Sequence, residues 1–273
     1  MIDKYPTLTP EILAILRSKQ TERPKYHPSS LKKQGRFICR GCGSALFKAS
    51  DEFISGCGWP SFDHSIDNHV VQHLDADGKR QEIVCRACGG HLGHVFLGEG
   101  FTASQTRHCV NFLAIEWVPS DTVGETREAF LAGGCFWGVE RDLAVLPGVL
   151  KTEVGYMGGT QRYPSYEQVC TGKTGHIETV RVVYDPTVLK DDQLFMYFFS
   201  IHDPTDAGGQ GPDRGEQYQS AIFYYPDQLT LAEACIRKME IKSLAMSTEL
   251  RELAIFWPAE ARHQQYYLKK YYN

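Results

Sequence analysis

The sequence predicts two domains of unlike build: a mainly β unit over residues 1–119 and an α/β unit over residues 128–273, joined by a linker at 120–127. Three observations carry this. Apolar segments of the first half are short and interrupted by glycine. Strand and helix signals are mixed in the second half. Between them, Pro119-Ser-Asp-Thr-Val-Gly-Glu-Thr126 is polar and rich in turn formers. At 273 residues the chain is long enough for two ordinary domains. With 42% hydrophobic and 23% charged residues it can bury a core.

A short helix opens the chain, with Thr9 placed to cap it and Pro10 suited to its first turn. The segments 69–74 and 81–85 flank Asp75-Ala-Asp-Gly-Lys-Arg80, a hairpin signal around Asp77-Gly78. Residues 110–118 read as a further strand. In the second half, the apolar run 129–132 leads through Gly133, Gly134 and Cys135 into a helix covering Val139 to Leu143. Residues 177–184 read as a strand, 191–200 and 227–244 as helices, and 252–256 as a strand. No internal repeat is visible.

Net charge is −4, so no basic surplus exists to neutralise phosphates, and nucleic-acid binding is disfavoured. The most apolar stretch, Leu194 to Ile201, is too short to span a bilayer. The first residues lack the layout of a signal peptide. Nine cysteines, an odd count without an export signal, point to a reducing cytoplasm where thiols serve as metal ligands or catalysts.

Cys135 follows two glycines that let strand turn sharply into helix. At a helix start, free amide N–H groups and the macrodipole favour a thiolate, the nucleophilic form. Cys39-Arg-Gly-Cys42 and Cys85-Arg-Ala-Cys88 are two CxxC knuckles in the β half. Four thiolates suit tetrahedral zinc and leave no open position, which implies a structural ion. Cys109 lies in Arg107-His108-Cys109-Val110-Asn111, with two potential cations beside it that stabilise a thiolate. His91 and His94 stand upstream, and Cys57 sits in the glycine-rich loop Ser55 to Phe62. A reactive thiol with a second on a mobile loop is the arrangement that resolves a sulfenic acid as a disulfide.

In order, the two knuckles, Ser55-Gly-Cys-Gly-Trp-Pro-Ser-Phe62, His91-Leu-Gly-His-Val-Phe96 and Arg107-x-Cys109-Val-Asn111 resemble a B-type methionine sulfoxide reductase. Gly133-Gly-Cys-Phe-Trp-Gly-Val-Glu140, Thr174-Gly-His-Ile-Glu178 and Asp213-Arg-Gly-Glu-Gln-Tyr218 resemble an A-type enzyme. The likeness covers nearly the whole chain apart from about the first thirty residues and the linker. It implies a barrel-like zinc domain followed by an α/β sandwich of ferredoxin-like type. It also implies reduction of methionine sulfoxide, free or in proteins. Each sulfoxide epimer needs its own enzyme, the S form falling to Cys135 and the R form to Cys109.

The resemblance assigns roles. Glu178 protonates the departing oxygen, its pKa raised by burial near Phe136 and Trp137. Tyr166 and Tyr218 bind that oxygen, Asp213 orients the site, and Phe136 and Trp137 receive the substrate methyl. In the first half His94 and His91 deliver protons, Arg107 stabilises the Cys109 thiolate, Asn111 orients the site and Trp59 forms the methyl wall. Cys57 then captures the sulfenic acid, and thioredoxin or a similar thiol reductant resets the enzyme. Gly98 stands where an acidic residue is common, Phe112 where serine is common and His108 where an aromatic is usual. The chain ends Lys270-Tyr-Tyr-Asn273 without a cysteine tail, leaving Cys170, Cys235 or an external thiol as resolver. The alternative reading is a zinc-binding interaction module fused to a thiol redox or peroxidase domain.

Overall fold

The computed structural model describes residues 8–24, 35–66, 68–119, 126–241 and 245–271. The chain divides into two compact units, residues 1–124 and 125–273. Positions 120–125 of the expected linker lie outside the described residues, and Arg127, expected to be its last residue, opens a strand instead.

Unit 1 begins with helix α1 (Pro10–Ser18). Pro10 occupies the first turn, where its missing N–H costs nothing. The Thr9 hydroxyl makes no capping bond, contrary to the sequence reading, because it bonds the Glu11 carboxylate instead. Nine strands follow: β1 (Arg36–Cys39), β2 (Ala45–Lys48), β3 (Glu52–Phe53), β4 (Ser61–Phe62), β5 (Val70–Leu74), β6 (Gln81–Cys85), β7 (His91–Leu97), β8 (Thr106–Val110) and β9 (Ile115–Val118). They form two antiparallel sheets, ordered β2-β1-β9 and β3-β4-β8-β7-β6-β5. Phe47 of β2 stacks on Phe62 of β4 at 4.3 Å, and Phe37 of β1 meets the same ring edge-on at 4.9 Å, so one aromatic cluster ties the sheets together.

The hairpin β5–β6 turns at Gly78, whose φ of +67° needs no Cβ, while Asp77 accepts the amides of Lys79 and Arg80. The single strand expected over 110–118 is broken. β8 ends at Val110, a 3-10 turn spans Phe112–Ala114, and β9 belongs to the other sheet. The chain crosses between sheets here, with the Asn111 amide bonded to Leu92 and the Ala114 carbonyl taken by Arg40.

Unit 2 comprises β10 (Arg127–Gly133), α2 (Phe136–Ala144), β11 (Val149–Met157), α3 (Tyr166–Val169), β12 (Ile177–Tyr184), α4 (Asp191–Phe198), β13 (Gly209–Gln210), β14 (Asp213–Arg214), β15 (Ser220–Tyr224), α5 (Leu229–Glu240), β16 (Glu249–Glu252), β17 (Trp257–Pro258) and α6 (Tyr266–Tyr271). Its main sheet runs β16-β15-β10-β12-β11-β17, antiparallel except for β15 with β16. α2 packs on β11 and β12, and α4 beside α5. Leu131, Val154, Val180, Val182 and Ile222 form the buried layer of the sheet, met by Leu143, Leu194 and Phe198 from the helices.

Two elements differ from the sequence reading. The helix expected over 227–244 is shorter: α5 spans Leu229–Glu240, and Leu244 lies outside the described residues. The strand expected over 252–256 ends at Glu252. Phe256 leaves the ladder and enters the core, where its ring would stand 2.5 Å from a Cβ at Gly155. Among the described residues, no helix is long and apolar enough to cross a membrane.

Candidate active sites and metal centre

The four knuckle sulfurs of Cys39, Cys42, Cys85 and Cys88 lie within 4.8 Å of one another. Each knuckle starts at a strand end and turns back on itself, with Gly43 N–H on the Cys39 carbonyl at 2.7 Å and Gly89 N–H on that of Cys85 at 2.8 Å. Both glycines have positive φ. Sulfur separations of 3.7 Å for Cys39–Cys88 and 3.6 Å for Cys42–Cys85 fit the tetrahedron edge of about 3.8 Å set by zinc–sulfur bonds of about 2.3 Å. Burial and its three cysteine neighbours push the Cys85 thiol well above its usual range, a cost that a bound dication relieves. Leu16 of α1 roofs the cluster, within 3.3 Å of a Cβ built at Gly41 and 3.1 Å of one at Gly90.

Strand register assembles the second site. Across the six-stranded sheet of unit 1, His73 pairs with Glu82, Glu82 with His94, His94 with Cys109, Cys109 with Ser61 and Ser61 with Phe53. Directly opposed residues share a face, so one row carries the chemistry. His91, three residues before His94, would face away in a regular strand. A bulge at Leu92, with Val84 opposite His91 and Ile83 opposite Gly93, brings both imidazoles to the same side at 5.5 Å. Gly93 is essential to this approach: a Cβ there would lie 2.0 Å from the Cys109 carbonyl oxygen. His91 Nδ1 bonds the buried Glu82 carboxylate at 2.8 Å, and its Nε2 is buried without a partner. His94 Nε2 bonds Asp75 at 2.8 Å.

Cys57 Sγ stands 3.8 Å from Cys109 Sγ. Its loop is shaped by positive φ at Gly56 and Gly58 and held by a 3.0 Å bond from the Ser55 hydroxyl. The hydrogen bond from Cys109 lowers Cys57 to about 4, whereas that bond and burial push Cys109 well up, even against the charge of Arg107. The contact with Cys57 and burial therefore oppose the thiolate expected on Cys109. His108 is also corrected: its ring lies on the core side against Phe47 at 5.7 Å, Nδ1 bonds the Phe62 carbonyl, and burial lowers its pKa. It supplies no cation to Cys109.

Arg107 lies on the Cys109 face. It is gripped by Glu99 through Nε at 2.6 Å and the second guanidinium nitrogen at 2.9 Å, and it sits 4.5 Å above the Phe96 ring. Sequence reasoning noticed the missing acid at Gly98 and overlooked Glu99 immediately after it. Asn111 donates to the Leu92 carbonyl at 3.1 Å, fixing the bulge. The Trp59 carbonyl lies 3.5 Å from Cys57 Sγ, and its ring nitrogen is buried without a partner.

In unit 2 Cys135 is the N-cap of α2. Gly133 and Gly134 precede it because added Cβ atoms would strike Phe198 at 2.9 Å and Gln210 at 2.7 Å. The helix start does not make a resting thiolate, as the sequence reading expected. Burial and the Glu178 charge push Cys135 up to about 11, against the amides of Trp137 and Gly138. Glu178 accepts the Phe136 amide at 3.0 Å, and its other oxygen is buried without a partner. Burial raises it to about 8. Its charge is felt at Cys135, Tyr166 and Tyr218, and that of Asp213 at Cys135, Glu178 and Tyr218, so these five residues share one site. Glu260, which sequence reasoning missed, accepts the Tyr166 amide and the Tyr156 hydroxyl, both at 2.9 Å. Phe136 is 1% exposed and packs on Tyr156 and His263, while Trp137 stacks on Tyr266 at 3.9 Å. Cys170 is exposed and bonds the Tyr166 hydroxyl; Cys235 is sealed inside α5.

Comparison with known proteins joins these sites to two families. Residues 127–273 match the family described as peptide methionine sulfoxide reductase, and residues 8–119 match the SelR domain. The "Peptide methionine sulfoxide reductase MsrA" of Methanococcus maripaludis strain C6 is 46% identical over 147 residues, covering 53% of this chain and 94% of that protein. The "Peptide methionine sulfoxide reductase MsrA/MsrB" of Vibrio cholerae is 47% identical over 154 residues, 54% of this chain and 40% of that one. Among solved structures, reduced Mxr1 of Saccharomyces cerevisiae is similar with a TM-score of 0.51 at 33% identity, covering 55% of this chain and 87% of that one.

Proposed function

The chain belongs to the peptide methionine sulfoxide reductase family, and we propose from there that its two units divide the substrate by stereochemistry, unit 2 taking the S epimer and unit 1 the R epimer. That the protein reduces methionine sulfoxide as a sulfur-group oxidoreductase follows from its two matched domains. The observation that carries the division is that each unit has its own thiol with its own proton donors: Cys135 with Glu178, and Cys109 with His91 and His94.

In unit 2 the Cys135 sulfur attacks the sulfoxide sulfur while Glu178 gives its proton to the oxygen. Tyr166 and Tyr218 hold that oxygen, Asp213 orients the site, and Trp137 with Phe136 frames the methyl group. Oxygen passes to the enzyme: methionine leaves and Cys135 becomes a sulfenic acid. In unit 1 Cys109 yields its proton to Cys57 as it attacks, and Arg107 steadies the developing thiolate. His91 and His94 protonate the oxygen, Asn111 holds the bulge and Trp59 walls the methyl. Cys57 then displaces water from the sulfenic acid, closing a disulfide that a dithiol such as thioredoxin reopens. The sulfur contact at 3.8 Å supports that step. In unit 2 the buried Cys235 is unsuited to resolution, which leaves Cys170 or an external thiol.

Cys39, Cys42, Cys85 and Cys88 would hold a zinc ion that ties β1 to β6 without reaching substrate. About one zinc per chain is expected by elemental analysis. Its removal should cost unit 1 more than about 5 kcal/mol, read as loss of that unit's melting transition while the other persists. With the short α3, β13 and β14 as insertions, the strand and helix order β10-α2-β11-β12-α4-β15 and spatial order β15-β10-β12-β11 support a ferredoxin-like unit 2, and the shared aromatic core supports a barrel-like unit 1. A reducing cytoplasm suits this set of free thiols. The test of the function is turnover of the separated R and S sulfoxides of a blocked methionine by the whole chain, with peroxide as competitor. Reduction of both epimers is expected; peroxide turnover exceeding sulfoxide turnover would favour a thiol peroxidase.

A further inference from the structure

We infer that Lys19 and Glu22, in the segment that follows α1, are positioning residues for the reaction at Cys109; this rests on the proposed R-epimer activity of unit 1. The segment lies far in sequence from the thiol, yet Lys19 and Glu22 reach into the polar groups beneath the site. Lys19 takes a left-handed conformation, φ +54° and ψ +30°, while its N–H closes α1 on the Ala14 carbonyl. For a residue with a Cβ this conformation is uncommon. In it, the Lys19 ammonium stands 2.5 Å from Glu82, whose carboxylate is fully buried. The same carboxylate accepts His73 Nε2 and His91 Nδ1, each at 2.8 Å.

This bonding has a chemical consequence. A carboxylate on Nδ1 makes that nitrogen the donor, so the proton His91 exchanges is carried on Nε2, the buried nitrogen with no protein partner. Glu82 thereby sets the tautomer and ring orientation of His91. Lys19 balances the Glu82 charge and so decides how strongly His91 holds its proton. The charged and titratable groups around this pair are Lys19, His73 and His91 on Glu82, and Glu82, His94 and Lys19 on His91, with Asp75 on His94.

Glu22 acts on the chain just after Cys109. Its carboxylate accepts the amides of Phe112 and Leu113, the second at 3.3 Å, and its own N–H donates to Asn111 Oδ1 at 3.2 Å. Asn111 in turn donates to Leu92, the bulge residue between His91 and Gly93. Glu22 thus pins the chain just beyond Cys109, and Asn111 passes that constraint to the imidazoles. Between them, Lys19 and Glu22 fix both members of the reacting set, the proton donor and the thiol strand. Displacements of about 1 Å between such groups cost up to roughly a hundredfold in rate.

The test uses the whole chain with saturating reductant, so that S-epimer turnover by unit 2 sets the enzyme concentration and bound zinc reports the fold of unit 1 in every sample. Lys19→Met is expected to lower kcat for the R epimer roughly tenfold with little change in KM. It should move the alkaline limb of its pH profile upward, because His91 loses a nearby cation. Lys19→Arg should restore both. Glu22→Gln should lower kcat by a similar factor without moving the limb. An unchanged R-epimer rate and profile in Lys19→Met overturns the inference. So does loss of R-epimer activity in step with loss of bound zinc, which would mark a purely structural role. Absence of R-epimer turnover in the unsubstituted chain would instead overturn the assignment of unit 1.

Discussion

Cys135→Ser is expected to abolish turnover of the S epimer, by on the order of a thousandfold or more, and to leave the R epimer untouched; Cys109→Ser should do the reverse. The magnitude follows from what serine cannot do. An alcohol is a far weaker nucleophile than a thiol at neutral pH, and transfer of oxygen to it would give no sulfenic acid for a second thiol to attack. The selectivity follows from the division of the chain into two compact units, each with its own thiol and its own proposed proton donors. Epimer-resolved chromatography of the products checks both variants. Equal loss of both activities in either one would defeat the two-site arrangement.

Glu178→Gln should reduce S-epimer turnover by on the order of a hundredfold or more and remove a break in its pH profile. Forming a sulfenic acid requires one proton between the two groups: a thiolate must attack while an acid protonates the oxygen. With Cys135 at about 11 and Glu178 at about 8, both are protonated below pH 8, and the reactive form gains tenfold per pH unit as the thiol ionises. Above about 8 Glu178 ionises as well, and the two changes cancel until the thiol is spent near 11. The kcat/KM profile of the free enzyme should therefore climb through neutrality and level near pH 8. In Glu178→Gln there is no acid to lose, so the smaller rate should go on climbing past pH 8. A levelling that survives the substitution would show that another group sets it.

Much of this was legible in the chain because close-range chemistry leaves local marks. The CxxC knuckles, the paired glycines before Cys135 and the Asp77-Gly78 turn each depend on residues a few positions apart, and each was found where expected. The raised carboxyl expected at Glu178 was legible through the resemblance, and burial, with Asp213 adding to it, is what raises it. What escaped depends on partners distant in sequence. Glu82, Lys19 and Glu22 acquire meaning only when β6 and the segment after α1 are laid against β7 and β8. Glu260 reaches Tyr166 from 94 positions away. The thiolate reading of Cys135 failed for a related reason: the helix start was visible, but the burial and the Glu178 charge that outweigh it were not.

The row of opposed residues from His73 to Phe53 constrains how the first unit can change through descent. Insertion or deletion of one residue inside β6, β7 or β8 would invert the positions beyond it in that strand, turning Glu82, His94 or the Cys109 sulfur respectively to the other face of the sheet. Length variation among descendants of this gene should therefore collect in connections such as residues 75–80. The bulge at Leu92 should be inherited as a unit with its glycine, since losing either one strands an imidazole on the wrong side of the sheet.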